Sequence, residues 1–174
     1  MAFTVEDGTG VANANAYIAV AFADSYFADR GITAWTGSNT VKEQAIIKAT
    51  DFIETRWGDR FLGSPEFLDP RQPLSFPRLD LYDRAGQLVE GIPEKLKKAT
   101  AEYALRALSG ELMPDPVTDT SGAMVIGNRQ KVGPIETEVT YAASSQGSTV
   151  LKPYPAADRL LSEYVRGSQA RAIR

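Results

Sequence analysis

The sequence predicts a mainly α-helical fold: a small domain of about four helices with a β-hairpin extension and long ordered loops. Apolar residues recur at helical spacing in several segments, each bounded by capping or helix-ending residues. Between Lys131 and Tyr141, two runs that alternate apolar and polar residues flank a Gly-Pro step, which is typical of a hairpin. The 174 residues, 43% hydrophobic and 24% charged, are enough to bury one conventional core.

The first two helices are predicted from their apolar faces and their ends. Helix one covers about residues 20–30 and is followed by Gly31, which suits a left-handed helix end. Its apolar face is formed by Phe22, Ala23, Tyr26 and Phe27. Helix two begins at Thr40, which has the spacing of a capping box with Glu43, and ends near Gly58. Its apolar stripe is formed by Val41, Ala45, Ala49, Phe52, Ile53 and Trp57.

Proline density and a second pair of helices define the rest of the body. The segment from Gly58 to Gly91 holds four prolines and predicts an ordered loop, with a tight turn at residues 83–86. Helix three starts at Pro93 and ends at Gly110. Its apolar face is formed by Leu96, Ala99, Tyr103, Ala107 and Leu108. A last short helix within residues 153–167 presents Leu160, Leu161, Tyr164 and Val165.

We therefore divide a single domain into three segments. Residues 1–112 form a helical body with an N-terminal loop, residues 113–150 form a linker and a β-hairpin arm, and residues 151–174 form a C-terminal helix and a basic tail. Residues 1–30 carry four carboxylates and one arginine, a net charge of −3, whereas residues 152–174 carry a net charge of +3. Oppositely charged ends favour contacts between copies or docking of the tail on an acidic partner, although a solvated tail also explains them.

The composition argues against most catalytic sites. The sequence contains no cysteine and no histidine, which excludes thiolate chemistry and every Ser-His-Asp arrangement. A carboxylate pair drawn from Asp69, Asp80 and Asp83 is conceivable, but acidic residues next to proline and glycine usually form turns. Glu136 and Glu138 could bind a divalent cation, yet a solvated strand face explains them more simply. We predict no enzyme, no cofactor and no metal site.

Membrane and nucleic-acid partners are also disfavoured. The longest apolar run near the N-terminus, "AYIAVAFA", is far shorter than the roughly 20 residues that span a bilayer, so we expect a soluble, unexported protein. The net charge of −3 offers no broad positive field to a polyanion. "GTG" at residues 8–10 lacks the Gly-Lys-Ser/Thr of a phosphate loop and fits a surface turn better.

Aromatic and basic residues do occur together around the second helix. Trp35 and Trp57 accompany four arginines, a combination found in single-stranded nucleic-acid binding. The arginines are Arg56, Arg60, Arg71 and Arg78. Trp57 lies on the predicted core stripe, and the nearby carboxylates make the local charge almost neutral, so the sequence favours a structural role. Those carboxylates are Glu54, Asp59 and Asp69.

A family resemblance extends from about Phe3 to Val165 and rests on six segments in a fixed order. They are "VEDGTGVANANAYIAVAFADSYFADRG", "KEQAIIKATDFIETRW", "PLSFPR", "IPEKLKKATAEYALRAL", "KVGPIETEVTY" and "YPAADRLL". Together they resemble a tailed-phage protein family labelled DnaT-like single-stranded-DNA-binding protein. The layout is similar to that of the head-tail connector (adaptor) proteins that sit under the portal. Specificity comes from the ordered set and not from any single motif.

The likeness to connectors implies a structural subunit that forms a homo-oligomeric ring, commonly dodecameric, on the portal protein at the neck of the virion. The subunit would be made in the host cytoplasm, and a tail terminator or stopper protein would follow the ring. Duplex DNA would pass through the channel without specific binding. The DNA-binding label implies instead a basic groove lined by exposed aromatics, and single-stranded DNA binding is the alternative function. The acidic net charge favours the connector.

The connector interpretation assigns residues to two kinds of contact. An isolated two-stranded ribbon is marginal in water, so the arm needs a surface on its own domain or on a neighbouring copy. The residues expected to contact a neighbour are Lys131, Val132, Ile135, Val139 and Tyr141. The residues expected to dock on the portal are Tyr164, Arg166, Arg171 and Arg174.

Overall fold

The computed structural model describes residues 2–68, 70–115, 125–131, 136–141 and 152–166. Within these ranges the protein has four α-helices and an antiparallel β-hairpin, which confirms the mainly α prediction. The chain divides into two compact units, Met1–Leu112 together with Pro153–Arg174, and Met113–Lys152. Among the described helices, none combines the length and the apolar character needed to cross a bilayer.

Helix α1 spans Val20–Ala28 and ends with the glycine signal that the sequence predicts. Gly31 has a φ of 62°, and the N–H of Ile32 donates to the carbonyl oxygen of Phe27 at 3.0 Å. Glycine adopts this left-handed conformation without the steric cost of a Cβ atom. The buried face is formed by Ala23, Tyr26 and Phe27.

Helix α2 spans Asn39–Trp57, and its N-cap is Ser38, whose hydroxyl accepts the N–H of Val41 at 3.4 Å. The predicted capping box of Thr40 and Glu43 is therefore wrong, because the helix already begins before Thr40. The predicted stripe is buried except for Val41, which is 44% exposed. The buried face is formed by Ala45, Ile46, Ala49, Thr50, Phe52, Ile53 and Trp57.

Helices α3, Glu94–Ser109, and α4, Pro155–Leu161, complete the helical body. Helix α3 packs against both α2 and α4. Helix α4 is shorter than predicted, since Tyr164 and Val165 follow it, and Val165 forms an isolated antiparallel bridge with Phe61. The chain after α4 is thus held against the segment that follows α2.

Aromatic rings from three helical segments meet in the core. The ring centroid of Phe52 lies 5.0 Å from that of Tyr103 and 5.6 Å from that of Tyr154. The two tyrosine rings are 5.8 Å apart and nearly perpendicular. Such edge-to-face pairs add about 0.5–1.5 kcal/mol each to the effect of burial alone. The cluster therefore ties α2 and α3 to the start of α4.

The proline-rich loop between α2 and α3 is ordered, as predicted. Strand β1, Ser64–Pro65, pairs antiparallel with β2, Arg78–Leu79. The buried Gln72 side chain accepts the N–H of Phe67 at 2.9 Å and donates to two carbonyl oxygens of the same loop at 2.7 and 2.9 Å. One side chain thereby replaces the hydrogen bonds that a regular element would supply.

The predicted turn at residues 83–86 is confirmed. Oδ1 of Asp83 accepts the N–H of Ala85 at 2.8 Å and that of Gln87 at 2.9 Å, and the N–H of Gly86 donates to the Asp83 carbonyl oxygen. Tyr82 and Leu88, which flank this turn, form an antiparallel bridge.

The second unit contains the hairpin. Strand β3, Val125–Lys131, pairs antiparallel with β4, Glu136–Tyr141, in a register that places Lys131 opposite Glu136. The register shifts between Val125 and Gly127. The hairpin confirms the strand prediction around the Gly-Pro step, whereas residues 132–135 lie outside the described part of the chain.

Candidate functional site

The carboxylate of Glu6 occupies the glycine-rich N-terminal loop. Glu6 is 2% exposed, its Oε1 accepts the N–H groups of Gly8 and Gly10, and its Oε2 accepts the N–H of Val11, all at 2.9 Å. Backbone N–H groups that converge in this way form an anion-binding concavity. Here the anion comes from the chain itself, so "GTG" is a structural turn and not a phosphate loop.

The tryptophans belong to the core of the body. Trp35 is 7% exposed and Trp57 is 8% exposed. The guanidinium carbons of Arg56 and Arg60 lie 4.9 and 5.0 Å from the Trp57 ring centroid. Cation–π contacts at this distance contribute about 0.5–1 kcal/mol at accessible sites. These arginines stabilise a buried ring, and neither tryptophan presents a free face for base stacking.

The acidic residue Asp83 of the loop belongs to the turn. Its carboxylate accepts the N–H groups of Ala85 and Gln87, an arrangement typical of a turn. Within the ranges that the structure describes, no group of three or more acidic side chains is placed to hold a metal ion. Asp69 lies outside those ranges, and Glu136 and Glu138 lie two residues apart on β4.

The residues predicted for assembly are only partly within the described chain. Lys131 lies at the end of β3, and Val139 and Tyr141 lie on β4, whereas Val132 and Ile135 fall outside the description. Their contact with a neighbouring copy stays a prediction.

The predicted portal-docking residues separate into a buried and an exposed position. Tyr164 is 4% exposed and packs edge-on against Phe76, so its ring is a core element and not part of a docking surface. Arg166 is exposed, and Arg171 and Arg174 fall outside the described ranges. The docking prediction therefore rests on the arginines.

An exposed apolar patch lies on the proline-rich loop. We define it by Leu79, Tyr82 and Leu88, which are 48%, 52% and 51% exposed and line one cavity of about 360 Å³. Tyr82 and Leu88 are paired across the turn, which places both side chains on the same side of the ribbon. Three carboxylate residues line the same cavity: Glu66, Asp80 and Glu90.

A second cavity, of about 380 Å³, is polar, and we call it the arginine groove. Its arginines are Arg71, Arg78 and Arg166, and its carboxylates are Glu54 and Asp59. Arg166 reaches the groove because its N–H donates to the carbonyl oxygen of Arg60 at 2.7 Å. Arg166, at the end of the described residues, thus lies in the same groove as Arg71 and Arg78 of the loop.

Arg78 is fixed by backbone carbonyl groups. It is 8% exposed, and its Nε, Nη1 and Nη2 donate to four carbonyl oxygens at 2.6–3.4 Å. The acceptors are those of Phe61, Leu62, Gly63 and Ser75. Burial lowers the pKa of this guanidinium, while the charge of Glu54 opposes that effect. Arg78 therefore organises the loop in place of regular secondary structure.

Glu54 is held by hydrogen bonds that point into the body. Its carboxylate accepts the hydroxyl of Tyr17, and its Oε2 accepts the N–H and the hydroxyl of Ser75 at 3.1 and 2.6 Å. Burial, together with the neighbouring Glu54 charge, raises the pKa of Tyr17 well above its ordinary value. Glu54 is thus a structural acceptor and not a free acid or base.

Sequence reasoning did not find the patch or the groove. A usable signal for the patch exists, because "LDLYDRAGQLVEG" places apolar residues at matching positions on both sides of the turn. The groove has no such signal, since Arg71 and Arg166 are brought together only by the tertiary fold.

The helical body, the hairpin and the turn-rich loop define a small, mainly helical protein. A protein family with the description "Putative DnaT-like ssDNA binding protein" matches residues 1–174. The chain belongs to this family. No curated protein and no solved structure matches the chain.

Proposed function

We propose that this protein is a structural subunit of a tailed-phage virion, which forms a ring-shaped head-tail connector between the portal protein and the tail. The single observation that supports it most is the exposed apolar patch of Leu79, Tyr82 and Leu88. Exposed apolar patches often mark protein-protein interfaces, because burying apolar surface lowers the free energy by about 25 cal/mol per Å².

The rim of the patch favours a basic protein partner. Glu66, Asp80 and Glu90 repel the phosphates of DNA and attract cationic side chains. Residues 152–174 of the same chain carry a net charge of +3. We therefore commit to a second copy of this chain as the occupant of the patch. An interface between two different surfaces of identical subunits closes into a ring when the rotation allows.

The ring would sit at the neck of the virion, bind the portal on one side and a tail terminator or stopper on the other, and act without catalysis or cofactor. Electron microscopy of the protein mixed with a portal protein from the same genome tests this. We expect rings seated on the portal, and a mixture that stays unassembled at micromolar concentrations would contradict the proposal.

Single-stranded DNA binding is the second candidate, and the family description favours it over the connector. Against it stands the position of the aromatic residues. Among the large apolar side chains that the structure describes as exposed, Tyr82 is the aromatic one, and three carboxylate residues share its cavity. Stacking platforms for bases instead combine exposed rings with a positive groove.

A salt titration with a labelled oligothymidine tests the second candidate. Binding to single strands weakens with salt in proportion to the number of phosphates contacted, with a slope of about −0.7 per phosphate. Steep salt-dependent binding by the purified protein would support DNA binding. No change of fluorescence anisotropy at low salt would remove that candidate and leave the connector untouched.

A further inference from the structure

The arginine groove holds two cations whose side chains have no partner in the described structure. Arg71 and Arg166 are both exposed and line the same 380 Å³ groove. Among the described residues, neither guanidinium takes part in a hydrogen bond or ion pair. Two like charges facing one cavity repel each other unless an anion lies between them.

Two other charged residues of the groove, Arg78 and Glu54, already have hydrogen-bond partners. Four N–H groups of Arg78 bind carbonyl oxygens, and the Glu54 carboxylate binds Tyr17 and Ser75. Arg78 and Glu54 carry opposite charges, which offset each other. The remaining charged residues that line the groove are Arg71, Arg166 and Asp59, which leave an excess of one positive charge.

Two guanidinium groups that line one groove fit a phosphate better than a carboxylate. A guanidinium offers a planar fork, and one fork saturates the two oxygens of a carboxylate. A phosphate is tetrahedral and accepts hydrogen bonds on several oxygens that point in different directions, so it can serve two forks at once.

We propose that the arginine groove binds one phosphate group of a DNA backbone, with Arg71 and Arg166 as its donors and Arg78 as the fixed charge behind it. This inference rests on the second candidate function, single-stranded DNA binding, and assigns its contact site. The groove supplies no exposed aromatic ring, so contact is with the backbone and carries no base preference.

The test compares two double variants of equal charge. Arg71→Ala with Arg166→Ala removes the groove donors, and Arg84→Ala with Arg159→Ala removes two exposed arginines that do not line the groove. Fluorescence anisotropy with a labelled oligothymidine is measured from about 50 to 200 mM salt. We expect the groove variant to bind about tenfold more weakly at the lowest salt, with a slope shallower by about 0.7 because one phosphate contact is lost, and the control to stay close to wild type.

The outcomes separate the inference from the function on which it rests. If the wild type binds and both double variants lose affinity equally, general charge explains binding and the groove assignment is overturned. If the wild type does not bind, DNA binding and the groove assignment both fail. A titration with inorganic phosphate, followed by the Nε–H resonances of Arg71 and Arg166, distinguishes a site for free phosphate, which would also overturn the assignment to DNA.

Discussion

The guanidinium of Arg56 and the carboxylate of Asp158 meet at 3.0 Å although 102 residues separate them. Their side chains are 14% and 18% exposed. Oδ2 of Asp158, which binds Arg56, also accepts the N–H of Tyr154 at 3.0 Å. Oδ1 of Asp158 accepts the hydroxyl of Tyr103. A single carboxylate thus joins α4 to both long helices.

Replacement of this carboxylate is expected to destabilise the body strongly. Asp158→Ala removes an acceptor that Arg56 and Tyr103 share in a mostly buried position, so we expect a loss of about 2–4 kcal/mol in the free energy of unfolding. Urea unfolding followed by circular dichroism measures it. The control Asp29→Ala removes an exposed carboxylate and should cost less than about 0.5 kcal/mol. Equal losses in the two variants would contradict the bridging role of Asp158.

The N-terminal loop provides a second test, because Glu6 and Asp7 are neighbours with different surroundings. Glu6→Ala removes the acceptor of three backbone N–H groups, and we expect a loss of about 2–3 kcal/mol in the free energy of unfolding. Amide exchange at Gly8, Gly10 and Val11 should speed up in this variant. Asp7→Ala, in which the carboxylate lost is exposed, should leave those amides protected. Unchanged exchange after Glu6→Ala would show that the loop is held by other contacts.

The sequence was sufficient for the helices, because burial on one face leaves a periodic pattern. In α2 the stripe from Ala45 to Trp57 is buried as predicted, and Gly31 takes the left-handed conformation expected after α1. The start of α2 was missed because Ser38 and Thr40 can both cap a helix, and local sequence does not decide between them. Helix α4 was predicted too long because Tyr164 and Val165 are buried by the segment after α2 and not by helical packing.

The candidate sites could be predicted much less well than the helices. Arg78 binds carbonyl groups up to 17 residues away along an irregular loop, and the sequence of that loop has no periodic pattern that would predict these contacts. Glu6 has a local signal, a carboxylate just before a glycine-rich turn, but its burial depends on the fold around it. The arginine groove unites Arg71 with Arg166, so its existence follows only from the path of the chain after α4.

Alkaline pH is expected to unfold the protein through its buried tyrosines. Burial, and then the hydrogen bond to Asp158, raise the pKa of Tyr103 above the ordinary value of 10.0. A raised pKa in the folded state means that the unfolded state loses its proton first. The stabilising contribution is therefore complete below pH 10.0 and falls as the pH rises towards the pKa of the folded state.

Absorbance at 295 nm and urea unfolding between about pH 9 and 11.5 measure this dependence. We expect part of the tyrosine absorbance to appear together with unfolding, because Tyr17 and Tyr164 are also buried and their pKa values are raised by burial first. Tyr103→Phe removes one of these groups and should flatten the loss of stability above pH 10. Parallel curves for the variant and the wild type would contradict this assignment.

The apolar patch gives the most direct test of assembly between copies. Leu88→Lys places a charge at the centre of the proposed contact, and desolvating that charge should weaken self-association at least tenfold. The side chain is 51% exposed, so folding stability should change by less than about 0.5 kcal/mol. Leu68→Lys is the matched control, because Leu68 is 72% exposed and does not line the patch cavity. Sedimentation velocity over a concentration series measures both variants, and an equal effect of the two would place the contact elsewhere on the body.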